Sequence, residues 1–122
     1  MSKRILVVED QEDNRQIIRD LLVASGYELV QATTGEEGLA LADRERPDLI
    51  LMDIQLPGLD GYEVTRRIKA NPALKHIPII AVTSYALSGD DQKAFAAGCD
   101  GYVTKPFSPR LLLAKIREYL PK

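Results

Sequence analysis

Four short runs constrain this chain more than anything else in it: "ILVVED" at 5–10, "LILMD" at 49–53, "IPIIAVTS" at 77–84 and "GYVTKP" at 101–106. Each is unbroken apolar or β-branched sequence that ends on residues carrying charge or a hydroxyl. A strand with one wet face alternates, whereas an unbroken run needs cover on both faces, as in a parallel sheet between two helical layers. A fifth run, "YELVQATT" at 27–34, does alternate, which suits a half-exposed edge strand.

Helical patterns lie between these runs. Residues 13–25 bring Ile17, Ile18, Leu21 and Leu22 to one side and close at Gly26. Thr34 to Glu37 reads as a capping box opening a second helix that stops before Pro47. A third helix runs from about Asp60 to Ala70, and a fourth follows Ser88, with Asp91 at its third position. The last has Ser108 as cap and Pro109 at its first turn, then an inward stripe of Leu112, Ile116 and Leu120. Strand and helix alternate five times, so right-handed crossovers and a parallel sheet follow. The expected fold is α/β, a three-layer doubly wound domain with five strands, one domain over residues 1–122.

Composition closes off several function classes. With 122 residues and a formal net charge of −2, basic and acidic side chains being interspersed, the chain lacks the basic footprint that direct nucleic-acid binding requires. Its apolar runs are too short for a membrane span, and Met-Ser-Lys-Arg does not open a signal peptide, so a cytoplasmic location is expected. The lone Cys99 excludes an internal disulfide and reads as a small core residue. His76, in "LKHIPI", reads as a loop residue.

In a doubly wound sheet every parallel strand points its carboxyl end at the same edge, where ligands bind. Collected there would be Glu9 and Asp10, Asp53, Thr83 and Ser84, and Lys105. Crowded carboxylates repel by roughly 4 kcal/mol per pair at about 4 Å and an effective dielectric of 20, so a cation belongs among them. Mg2+ suits a few carboxylates plus water and a phosphate oxygen, with Mn2+ as a substitute. Lys105 supplies an ammonium for a phosphoryl oxygen and Thr83 a hydroxyl. The parts describe phosphoryl transfer to a carboxylate, with Asp53 as nucleophile and Glu9 and Asp10 holding the cation. Each residue alone has a plainer reading: Asp53 as a turn cap, Thr83 and Ser84 as turn formers, Lys105 as a solvated surface group.

The acidic pair Glu9-Asp10, "LILMDIQLPGLDGYEV" around Asp53, "AVTSYA" with Thr83 and "YVTKPF" with Lys105-Pro106 together resemble a response-regulator receiver domain over essentially the whole chain. The resemblance implies the flavodoxin-like strand order 2-1-3-4-5. It implies Asp53 as phosphoacceptor, metal ligation by Asp10, Asp53 and the main-chain carbonyl of Gln55, and Glu9 as the second acid. Thr83 and Tyr102 match the pair that couples phosphorylation to a surface change, Lys105 matches the family lysine, and a cis peptide is implied between Lys105 and Pro106. Gln55 and Ser84-Tyr85 would line the site entrance and tune loss of the phosphoryl group. The implied partners are a sensor histidine kinase or histidine phosphotransfer protein and a downstream target protein, the chain itself being a monomer or weak dimer and not an enzyme in the ordinary sense. Because the sequence stops at Lys122, the overall look is similar to stand-alone single-domain regulators of the cell-cycle or chemotaxis type.

Four other readings compete. A haloacid-dehalogenase-type phosphatase also uses an Asp nucleophile, Ser or Thr, Lys and Mg2+, but wants Asp-x-Asp where this chain has Asp53-Ile54-Gln55. A flavodoxin-like nucleotide binder needs a phosphate-cradling loop after its first strand, where this chain has "EDQED". A receiver module excised from a larger hybrid kinase or transcription factor would read much as this chain does, and a dead interaction module would not retain Asp10, Asp53, Thr83 and Lys105 together.

Overall fold

The computed structural model describes residues 3–83, 90–105 and 108–120, with the backbone alone for Asp90 and Asp91. In chain order its elements are β1 (Arg4–Val8), α1 (Glu12–Ala24), β2 (Glu28–Ala32), α2 (Gly35–Glu45), β3 (Leu49–Asp53), α3 (Gly61–Ala70), β4 (Ile79–Thr83), α4 (Asp90–Ala97), β5 (Gly101–Thr104) and α5 (Pro109–Tyr119). All strand pairs are parallel and the sheet order is β2-β1-β3-β4-β5, as the resemblance implied.

The unbroken apolar runs are explained by two separate cores. Leu6, Val8, Ile50, Met52, Ile79 and Ala81 face one side, where Leu41, Val64, Ile68 and Ala94 bring in α2, α3 and α4. Ile5, Val7, Leu49, Leu51 and Ile80 face the other, against Ile18 and Leu22 of α1, Leu112 and Ile116 of α5, and Leu120 just past its end. Successive strand residues point to opposite faces, so a strand covered twice must be apolar at every position. β2 lies at the edge and is the least buried of the strands, but its exposed residues, Glu28 and Gln31, are three apart and so on opposite faces, and the expected alternation is not what exposes them.

Helix ends follow their local signals. Thr34, Asp60 and Ser108 each accept a hydrogen bond from the main-chain N–H three residues on. α1 closes on Gly26 at φ 89°, with Tyr27 N–H bonded to Leu22 O at 3.0 Å, a Schellman ending that only a residue tolerant of positive φ provides cheaply. Two readings change. Ile17 is 50% exposed, because the inward seam of α1 runs through Ile18 and Leu22 and a neighbouring residue is rotated about 100° from it. The strands are also shorter than the apolar runs: Glu9 and Asp10 lie beyond β1, and Thr33 and Thr34 beyond β2. Ser84, Tyr85, the Ser88 cap, the Asp91 side chain and the Lys105–Pro106 peptide fall outside the described residues. Cys99 is a buried core residue beside Thr65, Sγ to Oγ1 3.7 Å, and burial pushes its thiol up to about 11.

α3 begins directly beneath the tip of β3. A Cβ at Gly61 would stand 2.3 Å from Asp53 O and 2.8 Å from Ile54 Cα, so only glycine permits this approach. Gly61→Ala should therefore push α3 off the strand and cost about 2 kcal/mol or more in urea unfolding. A loss below about 0.5 kcal/mol would show that the helix start is not pinned there.

Candidate functional site

Sheet register assembles the site. Val8 pairs with Met52, Asp53 with Val82, and Thr83 with Thr104. Glu9, Asp53, Thr83 and Lys105 are thus the last residues of their strands or the first beyond them, side by side along the carboxyl edge. Glu9 N–H continues the ladder to Ala32 O at 3.0 Å, and Lys105 N–H reaches Thr83 O at 2.6 Å. Residues distant in sequence meet because the ladder, not the loops, sets their level.

Glu9, Asp53 and Thr83 are buried, and Asp10 is half-buried. Carboxylate oxygens of Glu9, Asp10 and Asp53 lie within 4.8 Å of one another, a group able to hold a metal ion. Lys105 Nζ sits 2.6 Å from Glu9 Oε1 and 3.5 Å from Asp53 Oδ2, so the ammonium is held chiefly by Glu9. Glu9 Oε2 accepts from Gln11 N–H at 3.1 Å, and Asp53 Oδ1 from Gln55 N–H at 2.9 Å. Two of the three acids, Glu9 and Asp53, share one lysine. Burial pushes Asp53 from an ordinary 3.8 up to about 7; the Gln55 N–H opposes this, the hydrogen bond and charge of Glu9 add to it, and Lys105 opposes it. A hard divalent cation at these oxygens would relieve the crowding, which is how the donor set fits Mg2+.

The structure brings together Glu9, Asp10, Asp53, Thr83 and Lys105. Gln55, two residues past Asp53, is placed at the same edge by its main-chain N–H. Tyr102 stands on β5, half-buried, its side chain packed against the α2, α3 and α4 core. Sequence reasoning missed how firmly Lys105 belongs to Glu9, the Gly61 contact under Asp53, and Arg15, whose Nη1 donates to Glu9 O at 3.0 Å and Asp10 O at 3.2 Å. Gly61 was findable, since a glycine just inside an Asp cap contradicts helix propensity. Arg15 reads in sequence as any helix-surface cation.

The raised Asp53 carboxyl has a consequence for stability. The unfolded chain loses this proton near pH 3.8 and the folded protein keeps it to about 7, so without metal the folded state loses stability as pH rises through that window. Asp53→Asn keeps the size and the acceptor for Gln55 N–H but removes the charge. At about pH 8 without divalent cation it should be more stable than the parent by roughly 1–3 kcal/mol in urea unfolding. At about pH 4 the difference should vanish. An equal difference at both values, or a destabilised variant at pH 8, would contradict this account of the pocket.

Comparison with known proteins agrees with the geometry. The family model described as "Response regulator receiver domain" matches residues 5–117. The polar-differentiation response regulator DivK of Brucella anthropi is 48% identical over 120 residues, covering 98% of each chain. The receiver domain of the sensor histidine kinase PA1611 of Pseudomonas aeruginosa, solved with a magnesium ion coordinated in its active-site cleft, superposes with a TM-score of 0.92 at 37% identity, covering 100% of both chains. The chemotaxis response regulator CheY4 of Vibrio cholerae superposes with a TM-score of 0.92 at 30% identity, covering 98% of this chain and 99% of its own. By sequence, fold and the acids at its sheet edge, this chain belongs to the response regulator receiver domains of two-component signalling.

Proposed function

We propose that Asp53 accepts a phosphoryl group from a phosphohistidine on a sensor kinase or phosphotransfer protein, and that residues 1–122 act as one switching unit. The observation that carries this is Lys105 Nζ lying between Glu9 and Asp53 at an edge crowded with a third acid. Asp10, Asp53 and the Gln55 carbonyl would hold Mg2+ or Mn2+, with Glu9 beside them. When bound, the ion supplies charge neutralisation at the equatorial phosphoryl oxygens.

The chain's own residues do the rest. A carboxylate oxygen of Asp53 attacks phosphorus as the N–P bond to the donor imidazole breaks, and the leaving nitrogen keeps the bonding pair. Gln55 N–H holds the other orientation of the carboxylate through Oδ1. Lys105 exchanges part of its hold on Glu9 for a phosphoryl oxygen, and the Thr83 hydroxyl donates to another. Drawing Thr83 toward the phosphoryl group makes room for Tyr102 to turn inward, which changes the surface read by a downstream protein. The chain assists its own phosphorylation and dephosphorylation and turns over no separate substrate. Among the described residues no helix is long and apolar enough to cross a membrane. We place it in the cytoplasm as a monomer or weak dimer that does not bind nucleic acid directly, and likeness to the Brucella regulators supports a differentiation pathway as its setting.

With Mg2+ and acetyl phosphate, mass spectrometry should find one acid-stable, base-labile phosphoryl group, lost in Asp53→Ala and on chelation of the metal. Lys105→Ala should slow its formation by at least about tenfold. Phosphorylation that persists in Asp53→Ala sinks the assignment, and sustained turnover of a free phosphate ester would favour the dehalogenase-type phosphatase instead. Beryllium fluoride with Mg2+ should move the amide resonances of Thr83, Tyr102 and α5. A response confined to Glu9, Asp10 and Asp53 would leave the protein without the switch.

A further inference from the structure

We infer that Arg15 is a positioning residue for the acidic pair, clamping the main-chain carbonyls of Glu9 and Asp10 so that both carboxylates stay at the cation-binding edge. This rests on the reading of that edge as a Mg2+ site. Arg15 lies in the first turn of α1, and its Nη1 donates to Glu9 O at 3.0 Å and Asp10 O at 3.2 Å. These two residues occupy the gap between two ordered ladders. The sheet's hydrogen bonding ends at Glu9 N–H, α1 starts at Glu12, and the N-cap residue Gln11 makes no side-chain cap.

Without the clamp, the main chain that carries both acids would be held by Glu9 N–H to Ala32 O and by Gln11 N–H to the Glu9 carboxylate, which Lys105 also grips. A ligand whose backbone wanders pays for its own ordering when the ion binds, and loss of such outer support costs roughly 10- to 100-fold in metal affinity. The guanidinium's charge works the other way, repelling the cation. That repulsion is weakened because Arg15 is half-exposed to solvent and directs Nη1 at carbonyl oxygens. A lysine keeps the charge but not the planar fork, so it separates the two effects.

The test titrates Mg2+ into wild-type protein, Arg15→Ala, Arg15→Lys and the exposed-helix control Arg19→Ala, following the amide resonances of Gln11 and Gln55. Arg15→Ala should bind Mg2+ roughly tenfold more weakly, Arg15→Lys should recover part of the loss, and Arg19→Ala should match wild type. With acetyl phosphate, the half-saturating Mg2+ concentration should rise by the same factor while the rate at saturating Mg2+ changes by less than about twofold, a split that global destabilisation does not produce. If thermal melting shows Arg15→Ala unfolded, Arg15→Lys and Arg15→Gln carry the comparison. Unchanged or tighter Mg2+ binding in folded Arg15 variants overturns the inference. Wild-type protein that takes up neither Mg2+ nor a phosphoryl group overturns the functional reading, and this one with it.

Discussion

The burial of β3 on both faces is the constraint from which the rest of this structure follows. Leu49 and Leu51 belong to one core and Ile50 and Met52 to the other, so the strand cannot move to an edge without exposing large side chains, nor slip along its neighbours without drawing Asp48 or Asp53 into the core. At about 2 kcal/mol for each buried aliphatic side chain, a move to an edge costs a large share of a domain's net stability. With β3 fixed, its parallel neighbours are in register with it and every strand ends at one edge. Asp53 is held there by the backbone, with no loop intervening.

A site built this way is rigid and electrostatically unfinished. The sheet places Asp53 in a buried setting where its carboxyl resists ionising, and Lys105 is shared unequally between it and the buried Glu9. A buried charge that lacks a complete set of partners costs stability, and a native protein retains one where function uses it. In the proposed function this mismatch is what a cation and then a phosphoryl group would complete, two charges of opposite sign. Lys105 is poised for this because its ammonium already spans the space between the two acids.

Much of this was legible in the chain. Unbroken apolar runs at "ILVV", "LILM" and "PIIAV" reported burial on two faces, since alternation vanishes only when both faces are covered, and Thr34, Asp60 and Ser108 announced their helices through cap chemistry that operates over three residues. Ile17 was misplaced because an apolar residue adjacent to a buried seam looks in sequence like part of it, and only the docking angle of α1 decides which side of the seam meets the sheet.

Hydrophobic period and strand-end chemistry are local properties written residue by residue, and they were enough to read the fold class and the polar residues that meet at the strand ends. How those residues are connected came from packing: Lys105 leans on Glu9 more than on Asp53, Gly61 lies against Asp53 O, and Arg15 reaches back over the acidic loop. Such contacts are set to within a few tenths of an ångström by the packing of α1, α3 and β5 against the central strands. No pattern along the chain encodes a distance between elements, and in a pocket of like charges distance is what sets the energy.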